Sequence, residues 1–260
     1  MTQVRAKKYL GQHFLKDLGI ARRIVESLPL RQAMPVLEVG PGMGVLTQFL
    51  LQNPLISLTA VEIDTESVVF LQKEFPQLNI VEGDFLKIDL RELYADKFCI
   101  IGNFPYNISS QIFFKVLEYK SQIPYISCLL QKEVAERIAS KPGKKAYGIL
   151  SVLMQAYYEV EYLFTVSEQV FDPPPKVKSA VVRFTRNEVE KLDCDEKLFR
   201  TVVKTAFNQR RKILRNSLSS LVEKTNPIYE NTIYTKRPEQ LDVQSFVNIT
   251  NDIDDAMLKV

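Results

Sequence analysis

The residues with the most pointed chemistry are Asn103-Phe104-Pro105-Tyr106. A planar amine such as adenine N6 has its lone pair delocalised into the ring, which makes it a poor nucleophile. Two acceptors on its hydrogens, the Asn103 side-chain oxygen and the Pro105 carbonyl, would draw it toward tetrahedral geometry. Proline cannot donate at this point, and its fixed φ helps hold that carbonyl in place. Tyr106 offers a π-face to an unpaired base, a contact worth ~1–3 kcal/mol. Taken alone, the run could be an Asn-Pro turn with a packed aromatic. Its neighbours in the sequence argue for chemistry.

Upstream stands Glu38-Val-Gly40-Pro-Gly42-Met-Gly44. Glycines let the backbone turn tightly and approach a ligand, and a following helix N-terminus adds free amide donors. The spacing is GxGxG, whereas dinucleotide folds use GxGxxG, with the third glycine packing the helix beside a pyrophosphate. Glu38 would repel a pyrophosphate and suits a cationic ligand such as S-adenosylmethionine (SAM). Glu62 follows Gly40 by 22 residues at the end of an apolar run, where a carboxylate can accept both ribose hydroxyls. Asp64 reads as the cap of the next helix. Asp84, in Gly83-Asp84-Phe85, can accept a hydrogen bond from an adenine amino group.

These residues need a scaffold that brings them together. Short apolar runs at Val36–Gly40, Leu58–Ile63, Asn79–Val81, Lys97–Gly102 and Ile126–Leu130 read as strands. Helical patterns at 20–28, 44–51, 65–75 and 109–119 alternate with them, the last capped by Ser109 or Ser110. Such alternation implies a parallel sheet with helices on both faces, and these sheets bind ligands at the carboxyl ends of their strands. Every residue singled out above falls at such an end. A helix is expected at Ala146–Tyr157. Tyr158–Val166 and Ser179–Thr185, separated by Asp172-Pro173-Pro174-Pro175, suggest an antiparallel hairpin at one sheet edge. From Glu188 the pattern is charged and helical, which puts a boundary near Asn187. The expected fold is α/β, a mostly parallel sheet domain over residues 1–187 with a small all-α domain over 188–260.

Composition narrows the function. The 260 residues are 46% hydrophobic and 25% charged, an ordinary globular balance. The longest nearly apolar run, Tyr147–Tyr158, is too short for a bilayer span, and no signal peptide is visible. Cys99, Cys128 and Cys194 form neither a disulfide framework nor a metal pair, as expected of reduced thiols in the cytoplasm. His13 is the one histidine, which argues against a His-based triad or metal site. Net charge is only +3, but the positive charges cluster. Residues 1–23 carry Arg5, Lys7, Lys8, Lys16, Arg22 and Arg23 against Asp17 alone. Residues 197–222 carry seven cations and no acid. Two such clusters suggest a polyanion partner. If Arg200 to Arg215 is one helix, Arg200, Lys204, Arg211 and Arg215 form a stripe opposite Val202, Ala206 and Ile213.

Gly11-Gln-His-Phe-Leu15, the GPGMG loop, Glu62, Asp84, NFPY, Phe171-Asp-Pro-Pro-Pro-Lys-Val-Lys-Ser179 and Ala206-Phe-Asn-Gln-Arg-Arg-Lys-Ile-Leu-Arg215 occur in this order. Together they resemble the ribosomal RNA small-subunit adenine N6,N6-dimethyltransferase family, from about residue 5 to about residue 250. The resemblance implies a Rossmann-like SAM-dependent methyltransferase domain and an RNA-binding helical domain. It implies that His13 and Leu15 close over SAM, with Gly40 at its methionine part, Glu62 at its ribose and Asp84 at its adenine. It further implies that Asn103, also at the cofactor, and Pro105 hold the target amine, and that Tyr106 and Phe171 stack on the two faces of the target base. The implied activity is dimethylation of two adjacent adenosines near the 3′ end of small-subunit rRNA. The enzyme would act as a monomer on a pre-30S particle, with no metal and no membrane, and would also serve as a late assembly checkpoint. His13 stands where the family most often has asparagine, and Phe104 replaces leucine. Three other readings compete. One is a large-subunit rRNA adenine methylase of the resistance type, and one is a non-catalytic assembly factor. The third, a nucleotide-dependent dehydrogenase, fails on its glycine spacing.

Overall fold

A computed structural model describes residues 4–258. The elements in chain order are β1 (Phe14–Leu15), α1 (Leu18–Glu26), β2 (Met34–Val39), α2 (Thr47–Leu50), β3 (Ile56–Glu62), α3 (Thr65–Glu74), β4 (Asn79–Glu82), α4 (Leu90–Leu93), β5 (Cys99–Asn103), α5 (Ser109–Glu118), β6 (Tyr125–Gln131), α6 (Lys132–Ile138), α7 (Ile149–Gln155), β7 (Tyr158–Val166), β8 (Phe171–Asp172), β9 (Ser179–Arg186), α8 (Glu196–Asn208), α9 (Leu214–Ser217) and α10 (Val243–Leu258). Seven strands form one sheet in the order β4-β3-β2-β5-β6-β9-β7. Ladders β4/β3, β3/β2, β2/β5 and β5/β6 are parallel, and β9 runs antiparallel to β6, with Ser127 opposite Arg183. The expected hairpin strands are therefore β9 and β7 at one edge.

The parallel strands are apolar on both faces because helices cover both. On one face, Ile24 and Val25 of α1 and Leu50 of α2 pack with Val36, Cys99, Ile101, Leu129 and Val181. On the other, Phe113 of α5 lies 5.1 Å from Phe184 and 6.0 Å from Phe104, ring centre to ring centre. Asp64 caps α3 by accepting the Glu66 amide hydrogen, as its place after a strand suggests.

The chain forms two compact units. One runs to Ala135 and takes in Glu159–Arg186, and the other joins Glu136–Tyr158 to the chain from Asn187 onward. The sequence boundary near Asn187 left Glu136–Tyr158 out of the second unit, because a helix contributed from mid-chain has no compositional mark. Within that unit, Phe207 of α8 stacks 5.9 Å from Phe246 of α10, and Tyr147 lies 6.3 Å from Phe207. Among the described residues, no helix is long and apolar enough to cross a membrane.

Four local expectations are corrected. The helix after β2 begins at Thr47 and not at Gly44, whose φ of 76° is incompatible with a right-handed helix. The helix expected from Ala146 begins at Ile149, after an extended Gly148. Ile108 precedes α5 without a side-chain cap, and the Ser109 hydroxyl donates to the Tyr106 carbonyl instead. The stretch Arg200 to Arg215 is not one helix. α8 ends at Asn208, Gln209 leaves helical geometry, Ile213 is extended, and α9 starts at Leu214. Three adjacent cations, Arg210, Arg211 and Lys212, occupy the break. The stripe joining Arg200 and Lys204 to Arg211 and Arg215 therefore does not exist.

Candidate active site

A cavity of about 350 Å³ opens at the carboxyl ends of β2, β3 and β5. His13, Leu15, Glu38, Gly40, Glu62, Asp84, Asn103, Pro105 and Tyr106 all line it. Sheet register explains the convergence. Glu38 faces Ala60 across the β2/β3 ladder, Glu62 ends β3, and Asn103 ends β5 opposite Leu129. A Cβ on Gly102 would lie 2.5 Å from the Val39 carbonyl, so only glycine lets β5 run this close to β2 beside the site.

The cofactor end is built from buried carboxylates. Glu62 is 4% exposed, and its two oxygens accept the Gly42 amide at 3.0 Å and the Asp64 amide at 2.9 Å. It therefore pins the glycine loop as well as facing the cavity. Burial raises its pKa, and the backbone hydrogen bonds oppose that rise. Glu38 is 1% exposed and accepts from the Thr47 hydroxyl at 2.6 Å. Burial, aided by the nearby Glu62 charge and opposed by Thr47, pushes its carboxyl up to about 8. A Cβ on Gly40, whose φ is 69°, would meet nothing within 4 Å, so the backbone there opens directly on free space. Asp84 accepts the Leu86 amide at 3.0 Å and keeps further lone pairs for the cavity. Lys87 reaches Asp84 at 3.5 Å from outside, but no Lys or Arg is among the residues lining the cavity, so its acidic groups suit a ligand bearing hydroxyls and positive charge. They do not suit a pyrophosphate.

At the other end, Asn103 Nδ2 donates to the His13 carbonyl at 2.9 Å, which leaves Oδ1 as an acceptor. The Pro105 carbonyl takes only a long bond, 3.3 Å, from the Ile108 amide and retains a lone pair. His13 Nδ1 lies 2.7 Å from the Pro173 carbonyl, and because a carbonyl only accepts, Nδ1 carries the hydrogen. The His13 ring stacks on Tyr106 at 5.4 Å. The Tyr106 hydroxyl bonds Ser179, and burial raises its pKa.

Phe171 is not among the residues lining this cavity. It pairs with Leu15 across the two-stranded β1/β8 ribbon and is 1% exposed in the core with Ile24 and Val166. The expectation that it stacks on a base came from the motif alone, and the ribbon that turns its side chain inward is too short to leave a periodic signal. Gln12 and Met43 also stand at the cavity wall, although the sequence motifs that contain them assign neither a role.

The family model for "Ribosomal RNA adenine dimethylase" matches residues 3–255. "Ribosomal RNA small subunit methyltransferase A" of Parabacteroides distasonis is 64% identical over 252 residues, 96% of this chain and 94% of the relative. That of Bacteroides thetaiotaomicron is 57% identical, covering 99% of this chain and 97% of the relative. Among solved structures, a dimethyladenosine transferase from Plasmodium falciparum shares the fold with a TM-score of 0.79 at 24% identity, covering 94% of this chain and 98% of that one. The 23S rRNA methyltransferase ErmE gives a TM-score of 0.70 at 26% identity, covering 92% of this chain and 99% of that one.

Proposed function

Since this chain belongs to the ribosomal RNA adenine dimethylase family, we propose that it methylates N6 of two adjacent adenosines near the 3′ end of small-subunit rRNA, using SAM, on a pre-30S particle. The observation that carries this is one cavity with carboxylates at one end and the Asn103–Pro105 acceptor pair at the other. Relatives named for the small subunit, at 57–64% identity, favour that substrate over the large subunit.

Glu62 would accept the ribose hydroxyls, Asp84 the adenine amino hydrogens, and Gly40 would admit the methionine part. His13 and Leu15 would cover the cofactor. When bound, SAM supplies a methyl group on an already activated sulfonium, so no strong base is needed to make the leaving group depart. Asn103 Oδ1 and the Pro105 carbonyl would accept hydrogen bonds from the two N6 hydrogens in the first transfer and from the one that remains in the second, localising the lone pair and aiming it for in-line displacement, with one N6 proton lost to water at each transfer. Positioning of this kind can supply most of the rate. The base has to leave its stack to reach the cavity, and Tyr106 would hold one face of it. The half-buried to exposed cations of the second unit would contact RNA phosphates. Three free cysteines fit a cytoplasmic site of action.

The test is to incubate unmethylated small subunits and, in parallel, large subunits with the protein and labelled SAM and to map the modified bases. Two adjacent N6,N6-dimethyladenosines near the 3′ end are expected. Label confined to large-subunit rRNA, or none at all, overturns the proposal.

A further inference from the structure

Asp64 follows Glu62 by two residues, and its carboxylate is 1% exposed. Its Oδ1 pairs with Lys7 Nζ, and its Oδ2 accepts Gln12 Nε2 at 3.1 Å. The same Lys7 ammonium reaches Glu66 at 3.2 Å, and the Lys7 amide donates to Gln12 Oε1 at 2.7 Å. Lys7, Gln12 and Asp64 therefore form a closed ring of polar contacts that ties the N-terminal segment to the start of α3. Burial alone would raise the Asp64 pKa, but its bonds to Lys7, Gln12 and Ser67 outweigh that and lower it.

Immediately after Gln12, the His13 carbonyl accepts the Asn103 side-chain amide. An asparagine amide is nearly symmetric in shape, and its orientation is fixed only by a partner that distinguishes nitrogen from oxygen. A carbonyl makes that distinction because it accepts and cannot donate. This partner comes from the N-terminal segment and not from β5. The segment is tied again further on, where the Lys16 amide donates to the Val170 carbonyl at 2.8 Å. The clasp at Asp64 lies on the near side of His13, and the β1/β8 ribbon lies on the far side.

We infer that Lys7 and Gln12, clasped to Asp64, are positioning residues that hold the His13 carbonyl against Asn103 and so keep Asn103 Oδ1 turned toward the target amine. This rests on the proposed role of Asn103 as amine acceptor. Asp64 also caps α3, so Lys7 and Gln12 are the cleaner sites to change. Lys7 also belongs to a basic cluster with Arg5 and Lys8, and a lysine that merely held RNA phosphate would act on substrate affinity.

The experiment compares the parent protein, the double variant Lys7→Met/Gln12→Leu, and Lys7→Arg. It measures kcat and KM for methylation of small subunits, and amide hydrogen exchange at Phe14–Lys16 without cofactor. The double variant should lose about 10-fold to 100-fold in kcat, the scale of a slightly misplaced reacting group. Its KM for subunits should not change, and its exchange at Phe14–Lys16 should be faster. Lys7→Arg should recover most of the turnover. Unchanged kcat, a rise confined to KM, or unchanged exchange each overturns the clasp. Parental turnover in Asn103→Ala, by contrast, would fail the underlying assignment of Asn103 whatever the Lys7 variants do.

Discussion

Asn103 and Glu38 show how a fold makes ordinary side chains one-sided. With one Nδ2 hydrogen committed to the His13 carbonyl, the Asn103 amide has a fixed orientation that leaves Oδ1 as an acceptor at the cavity. Asn103→Ala should lower methyl transfer by about 10²–10³, as removing a preorganised polar group at the reacting atom does. Cofactor binding, measured by titration calorimetry, should survive, because Glu62, Asp84 and Gly40 are untouched. Turnover near the parental rate would remove Asn103 from the chemistry. Glu38 carries the pH prediction. Its carboxyl moves from an ordinary 4.5 to about 8 through burial, so the folded protein holds that proton more tightly than the unfolded chain. The folded state is then favoured with the proton on, and that advantage is lost as pH rises from about 4.5 through about 8. Glu38→Gln keeps an acceptor for the Thr47 hydroxyl and abolishes the titration. Thermal midpoints scanned from pH 5 to pH 8 should decline less in the variant than in the parent. Parallel declines would mean that Glu38 is ionised throughout.

The glycine loop between β2 and α2 separates strain from function within one element. Gly40 and Gly44 both have positive φ, 69° and 76°. A Cβ on Gly44 would lie 2.4 Å from Phe75, which packs beside α3, whereas one on Gly40 would meet open cavity. A left-handed backbone costs a non-glycine residue roughly 1–2 kcal/mol. Gly44→Ala should pay that and the collision with Phe75, so it should be the less stable variant in urea unfolding. Gly40→Ala should pay the backbone cost alone but place a methyl group where the cofactor has to lie, so it should show the greater loss of SAM affinity. The reverse ranking would move the cofactor away from Gly40. Most of this architecture can be read in the sequence because it has a local pattern: apolar runs such as Lys97–Gly102 that end in glycine, and carboxylates at run ends such as Glu62. Features without such a pattern cannot be read. The two-residue strands β1 and β8 leave no alternation, so nothing local in the sequence shows that their ribbon buries Phe171. The break after Asn208 is invisible to a rule that turns every residue by 100°, and the clasp of Lys7 on Asp64 joins residues that no local pattern relates.

Across the whole chain, a net charge of +3 gives little long-range attraction, and at physiological salt charges are screened beyond about 8 Å. Binding to a polyanion would then depend on local groups that can release phosphate counterions. Not every cation in the run from Lys197 to Arg215 is free to do so. A guanidinium nitrogen of Arg210 is held by the Lys145 carbonyl, and one of Arg215 donates to the Lys224 carbonyl at 3.2 Å. These two contacts brace the second unit internally. Arg211 and Lys212 are exposed in the turn between α8 and α9. That turn, not a helical stripe, is the surface to test. Each phosphate neutralised contributes roughly 0.7–0.9 to the slope of log affinity against log salt. Arg211→Gln with Lys212→Gln should therefore weaken binding to small subunits at low salt and flatten the slope by roughly 1.5. SAM affinity should stay at the parental value, since neither residue lines the cavity. Arg215→Gln should instead lower thermal stability with a smaller change in slope, because its guanidinium braces the backbone at Lys224. If the Arg211/Lys212 pair leaves affinity and slope at parental values, these side chains face solvent. The phosphate contacts would then fall to Arg5 and Lys8, exposed near the N-terminus, where the same salt titration on Arg5→Gln with Lys8→Gln would find them.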